Sequence, residues 1–505
     1  MPMVKDFIPR RLQPWLYLLC AVVFQMTSCL YMGSLSHLVG STGLMREDLL
    51  FVNACAVVGV NMPFPFLFRM KFRFTNRRLL IVATSVMIAC NFFAMHTTSL
   101  PLLCVLAYLA GFFKLCGTFE IMSNIQLWMT PKRDFRIFFP LLYIIVLGDI
   151  SMSGWVAAHL TYYFGSWQMM NWFIIGAQLL VLLFVFTCTR SFRFMKPMPF
   201  VSLDYLGCAL WSALLLEGIF IFSYGEYYNW SDSHIWRMVA FVFLPVTLIV
   251  CVGRMLHIRH PYIAPEAWKY KTIIPMLGIF FVLDLINSTN NALFNVFTSG
   301  VLHYGYLTSS TFNLVGFFGT VIGCMICYVW FNVLKQNSFN RLFIIGFMML
   351  LMYVVVMYFN ISPTINIEKL YLPVLLRTTG YAMFFVSLTV YLTQFMPFQH
   401  FFMGLTMMGF IRNGLADSIC TGTFSFLMRH HVAENLQRWA WEGPLDMAQP
   451  LMVSIKQLYG ATCMFGVIVL LAFMLWDMPM IKSSFRRIPY WNKVGQEMKK
   501  EEKRG

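Results

Sequence analysis

"RMKFRFTNRRLLI", residues 69–81, holds five basic residues and no acid. It lies between two apolar runs, Val57 to Phe68 and Leu79 to Ala94. Such a segment is either an arm for nucleic acid or the cytoplasmic hairpin of a membrane protein. The flanks favour the hairpin, and the whole chain agrees with them. Of 505 residues, 59% are hydrophobic and 11% are charged, against about 25% charged in soluble domains. So few charges cannot coat a soluble particle of this size, so a bilayer must surround most of it.

Fourteen runs of about 20 largely apolar residues can be placed, each long enough for a hydrocarbon core of about 30 Å. They fall near 14–36, 48–68, 79–97, 101–126, 138–163, 168–188, 204–224, 236–256, 272–297, 309–332, 341–360, 371–394, 401–427 and 453–476. The runs are continuous, without alternation of period two, which favours helices over barrel strands. An even count puts both termini on one side. With that side inward, roughly 28 of the 37 Lys and Arg lie in inward segments, about 6 in outward loops and about 3 in the spans. The basic segments include "TPKRDFR", "RSFRFMK", "KYK" and the tail "KKEEKR". The net charge of +16 therefore reads as the positive-inside bias, and no nucleic-acid partner is expected. The opening stretch becomes an inward hairpin whose bases meet anionic lipid heads.

The expected product is an all-α polytopic protein of a cell (inner) membrane, with cytoplasmic termini. Residues 428–450, "MRHHVAENLQRWAWEGPLDMAQP", are expected to form a small outward surface cap. The segment "RHPYIAPEAWKYK" should lie at the membrane interface. The thirteen cysteines, for example Cys20, Cys55, Cys90 and Cys324, read as small buried hydrophobes. No phosphate-cradling GxxxxGK[ST] loop occurs, so direct ATP use is not expected. No cofactor or metal is expected. "GFFGTVIG", with Gly316, Gly319 and Gly323, gives one span a ridge of small residues, suited to static close packing or to a sliding contact.

The stretch "LDYLGCALWSALLLEGIFIFSYGEYYNW", with Asp204, Gly207, Gly225 and Trp230, resembles the seventh span of fourteen-span major facilitator transporters of the EmrB/QacA drug:proton antiporter type. "NRRLLI", with Arg77 and Arg78, resembles the end of the superfamily's hairpin motif. "LGDISMSGWVAAHLTYYFGSW" resembles the fifth-span antiporter motif, and "LRTTGYAMFFVSLTVYL" the Arg-led twelfth span. The sequence departs at Lys71, Phe72, Arg73 and Phe74, where the hairpin motif normally holds an acid. It departs again at Asp149, where Pro is usual, and at Lys114, near the usual Arg.

The resemblance implies two six-helix bundles with two inserted helices. The expected divisions are 1–188, 189–271 (linker helices and an inward loop), 272–480 and a basic tail at 481–505. Spans 1, 4, 9 and 12 would line a central cavity, and spans 2, 5, 10 and 13 would form a moving interface.

A charge at mid-bilayer costs about 2.5–3.5 kcal/mol on insertion scales, so it faces a cavity or a partner. The candidates are Lys114, Glu120, Asp149, Glu217, Asp284, Arg377, Arg412 and Asp417. Asp284, Asn287 and Asn291 share a helix face at i, i+3 and i+7, reading as a proton acceptor with substrate contacts or as inter-helix bonding. Trp128 and Phe294 are candidates for stacking on a substrate. A buried carboxylate suits proton coupling because desolvation raises its pKa and a nearby cation lowers it.

The expected function is proton-coupled efflux of small amphipathic compounds, by a transporter rather than an enzyme. The expected partners are the substrate, membrane lipids and, in a Gram-negative host, a periplasmic adaptor. The alternatives are an uptake permease or lipid flippase on the same fold, and a membrane-bound transferase.

Overall fold

The computed structural model describes residues 4–130, 134–191, 193, 203–270, 273–335, 339–396, 398–439 and 448–477. The tail at 481–505 lies outside them, as do parts of the basic inward segments and residues 440–447 of the expected cap.

Sixteen helices are named here. They are α1 (Gln13–Met26), α2 (Leu35–Thr42), α3 (Arg46–Arg73), α4 (Asn76–Ala94), α5 (Leu100–Met129), α6 (Phe135–Phe164), α7 (Gln168–Cys188) and α8 (Tyr205–Ser223). Then follow α9 (His234–His257), α10 (Pro265–Trp268), α11 (Ile273–Val301), α12 (Tyr306–Val333), α13 (Phe339–Asn360), α14 (Ile367–Phe395), α15 (398–439) and α16 (Ala448–Asp477). Among the described residues, twelve helices are long and apolar enough to cross a membrane. The protein is an integral, multi-pass membrane protein.

Two of the fourteen placed spans differ from expectation. The first is broken. At 14 residues, α1 is about 21 Å long, short of the hydrocarbon thickness. The chain then unwinds at Thr27, resumes as a 3₁₀ turn at Met32–Ser34 and continues as α2. The thirteenth, α15, carries Arg412 and Asp417, contains a π-helical stretch at Ile411–Ala416 and is not among the twelve. The expected cap is also corrected. Residues 428–439 simply prolong α15, tied to α16 by Asn435, which donates to Ser454 Oγ at 2.8 Å and Gln457 Oε1 at 3.2 Å.

Helices in lipid gain little from burying apolar surface against one another, so small residues and polar contacts decide where they touch. A Cβ at Gly59 of α3 would strike the carbonyl of Tyr108, and one at Gly111 of α5 the carbonyl of Ala56. These glycines let α3 and α5 meet backbone to backbone. The ridge on α12 does the same against α14. A Cβ at Gly319 would lie 2.8 Å from Leu375 O, and one at Gly323 would lie 2.5 Å from Thr379 O. Thr379 also donates its hydroxyl to Gly319 O at 3.0 Å. Only Gly316 turns partly toward α6, where Ser151 Oγ would be 3.6 Å away.

In the first half of the chain α1 packs on α5, α6 and α7, while α3 and α4 pack on α5. In the second half α14 packs on α12 and α13, and α16 on α13 and α15. The two sets meet where α6 packs on α12 and α14, and where α3 touches α15. Helices α8 and α9 pair with each other, and α8 also contacts α3 and α15. Tyr262, from the segment before α10, is buried and donates its hydroxyl to Met62 O at 2.8 Å. No CxxC pair was expected among the cysteines, but Cys324 and Cys327 of α12 stand in that spacing; both are buried and free.

Candidate functional site

A cavity of about 910 Å³ lies between the two sets of helices. Its walls come from α1 and its unwound continuation, from α3, α5 and α6, and from Phe385 of α14 and residues 401–412 of α15. Spans one and four, and span twelve through Phe385, therefore line it as expected. Among the described residues span nine does not, and spans two, five and thirteen do.

The unwound stretch after α1 forms one wall, with Thr27, Ser28, Tyr31 and Gly33 on the lining. Non-helical backbone at membrane depth is tolerated only inside protein or beside a cavity, and buried amides hold it here. Asn171 of α7 donates to Cys29 O at 3.0 Å and to Asn91 Oδ1 at 3.3 Å. Tyr31 donates to the same Asn91 oxygen at 3.2 Å, and Gln178 donates to Thr27 Oγ1 at 2.8 Å. At Gly33 the chain presses on the carbonyl of Gly154 in α6, leaving no room for a Cβ.

Three cations reach the cavity. Lys71, in the last turn of α3, is 7% exposed. It lies 3.6 Å from Glu120 Oε2, donates to Ser123 Oγ, and sits 5.7 Å from the centre of the Phe119 ring. The hairpin thus finds its acid on α5, four residues from Asn124, whose amide donates to Glu120 Oε1 at 3.4 Å. This corrects the expectation that the hairpin bases all meet lipid heads. Arg77 instead makes an exposed contact, donating to Phe186 O at 3.0 Å near the end of α7, where a cation interacts favourably with the helix dipole. Arg78 is exposed, and its backbone N–H is held by the N-capping hydroxyl of Thr75.

Lys114 of α5 is the second cation on the wall. It interacts electrostatically with Asp149 of α6 without a contact ion pair among the described residues. Arg412 is the third. Its Nε donates to Tyr381 Oη at 2.8 Å, and its guanidinium lies 3.9 Å from the centre of the Phe385 ring. Behind it Asp284, 3% exposed, interacts with both Arg412 and Asp417. Asp149 and Asp284 each keep one carboxylate oxygen, Oδ2, buried without a hydrogen-bond partner.

The polar face of α11 is shared between α14 and α15. Asn287 accepts from Arg377 Nη1 at 3.0 Å, and Asn291 donates to Asp417 Oδ1 at 3.4 Å. Neither asparagine is on the cavity lining, and neither are Trp128 and Phe294. Trp128 is half-exposed on the outside and Phe294 is buried. Glu217 accepts from Thr247 at 3.0 Å, joining α8 to α9.

At the hairpin end an aromatic layer lines the cavity. Phe402 of α15 stacks edge-on against Phe68 at 4.5 Å and Phe119 at 5.6 Å, and Phe401 sits 6.2 Å from Phe139. Deeper in, Asn61 of α3 donates to Gly409 O of α15 at 3.2 Å, and Tyr143 of α6 donates to Thr389 of α14 at 3.2 Å. Sequence reasoning passed over Lys71, Asn61, Asn91, Asn171 and Gln178 as site residues. The available signal was an amide or ammonium inside or beside an apolar run, which must find a partner.

No family model matches the chain, and no curated protein matches it. Its fold is nevertheless similar to solved transporters. The crystal structure of an auto-inhibited POT family peptide transporter aligns with a TM-score of 0.59 at 13% identity, covering 96% of this chain and 98% of that one. The nucleoside transporter NupG aligns with a TM-score of 0.51 at 12% identity, covering 92% and 98%. A point mutant of NupG gives 0.55 at 11%, covering 92% and 100%. The chain shares the fold of these transporters.

Proposed function

We propose that the protein is a secondary active transporter moving small amphipathic compounds through the cavity between its two halves. The reading rests on a cavity of about 910 Å³, within the range of small-molecule sites, in a membrane protein whose halves meet around it. We take the chain to cross the membrane fourteen times, counting the broken first span and the charged α15, with both termini in the cytoplasm. On that count 1–188 and 272–480 are the two bundles, and 189–271 supplies the inserted pair. The EmrB/QacA-type motifs favour proton-coupled efflux across an inner membrane. A periplasmic adaptor is then a suitable partner in a Gram-negative host.

In this reading Asp149 and Asp284 are the proton carriers. Each has a buried, unpartnered carboxylate oxygen on which a proton can rest, and each lies beside a cavity cation that competes with that proton. Glu120, Arg377 and Asp417 then hold the surrounding helices in register. The second reading is uptake on the same fold, since the similar solved structures are a peptide transporter and a nucleoside transporter. The test is reconstitution into sealed vesicles with an imposed pH gradient. Flux that follows the gradient supports proton coupling, and its sign separates efflux from uptake. Flux indifferent to collapsing the gradient refutes the coupling.

A further inference from the structure

We propose that the substrate carries an anionic head on a flat apolar body, as an aromatic carboxylate or sulfonate does. This rests on the cavity being the transport site. The charged residues on the lining are Lys71, Lys114 and Arg412, and no Asp or Glu is among the described lining residues. The acids are buried off the lining, each within electrostatic reach of one cation: Glu120 of Lys71, Asp149 of Lys114, and Asp284 of Arg412. Their contacts with the cations are unequal. Lys71 is held in a 3.6 Å ion pair. Among the described residues, Lys114 and Arg412 have no carboxylate within ion-pair distance, and Arg412 rests on a neutral phenol and the faces of the Tyr381 and Phe385 rings. The wall therefore presents two positive charges without contact counter-ions, in surroundings where a charge seeks a partner.

The rest of the wall selects the body. Phe68, Phe119, Phe138, Phe139, Phe385 and Phe402 all face the cavity, and rings of this kind stack on flat apolar groups. A cationic drug would instead meet two like charges with no lining carboxylate to receive it, an arrangement that rejects it. A free organic anion and the head of an anionic lipid share the chemistry that Lys114 and Arg412 would bind.

The purified full chain in neutral detergent would be titrated with three isosteric probes: 2-naphthoate, 2-naphthalenemethanol and 2-naphthylmethylammonium. Naphthoate should bind about tenfold or more tightly than the alcohol, as expected for a charge-assisted contact. K114Q and R412Q should each bring naphthoate down toward the affinity of the alcohol, and K114R should preserve it. Equal or tighter binding of the neutral or cationic probe to the unmodified protein overturns the inference. So does naphthoate binding that K114Q and R412Q leave unchanged. Should both variants fail to fold, the ranking of the three probes decides by itself. Competition with dioleoyl phosphatidylglycerol then identifies the source: displacement of naphthoate points to an anionic lipid, and no displacement to a free organic anion. Transport of the ammonium probe would refute the anionic head while leaving the transporter reading intact. Naphthoate bound but never carried across a membrane would do the reverse.

Discussion

Replacing Glu120 by Leu removes the carboxylate that faces Lys71 in a site where the two side chains are 1% and 6% exposed. Breaking a buried ion pair by deleting one partner costs about 3–5 kcal/mol, because the other charge is left without compensation. Lys71 keeps Ser123, Asn124 at 3.5 Å and the Phe119 ring, so the low end applies. E120L should lose about 3 kcal/mol, on the order of a hundredfold in the folding equilibrium. The same principle makes a sharper prediction for the pair. K71M/E120L replaces both charges with apolar groups of similar length and should return to within about 1 kcal/mol of the parent. Unfolding in mixed micelles by graded sodium dodecyl sulfate, followed by fluorescence of the 14 tryptophans, measures all three proteins. A loss below about 1 kcal/mol in E120L, or a double variant less stable than E120L, would refute the view that these two groups form a buried pair at the hairpin end.

Other predictions follow from the same contacts. D149N and D284N should abolish proton-coupled flux while the protein stays folded in detergent, because Asn keeps the shape and removes the titrating group; flux measured in sealed vesicles checks this, and normal coupling in both variants removes these residues as carriers. G323V puts a side chain against Thr379 O, which a Cβ at that position already approaches to 2.5 Å. Overpacking of this kind should cost about 1–3 kcal/mol, read as a lower thermal midpoint. Gly176 of α7 has nothing within 4 Å of such a Cβ, and G176A should gain up to about 1 kcal/mol from helix propensity.

The helical architecture was legible because bilayer thickness and loop charge act locally along the chain. A run of apolar residues needs no partner to be recognised, and neither does a basic hairpin. The site was legible only in part. Lys114, Arg412, Asp149 and Asp284 stood out as charges inside apolar runs, and the structure sets them around or behind one cavity. Their pairing was not readable, since Glu120 meets Lys71 across 49 positions of sequence, from 71 to 120. The stripe of Asp284, Asn287 and Asn291 was a correct reading of helix geometry. The helix packs so that Asp284 and Asn291 face α15 while Asn287 faces α14. The break after Met26 was hidden for another reason. "MTSCLYMGS" is apolar enough on average to pass as helix, and it unwinds because amides on α4 and α7 satisfy it from outside.

The central claim is that the two halves enclose a passage open alternately to either side. Leu115 lies on the cavity wall. A single cysteine there, in a protein otherwise free of cysteine, can be challenged in sealed, oriented vesicles with a membrane-impermeant thiosulfonate added to one side at a time. The account predicts modification from both sides, each slowed by a bound substrate. Modification from only one side, or from neither, would contradict it.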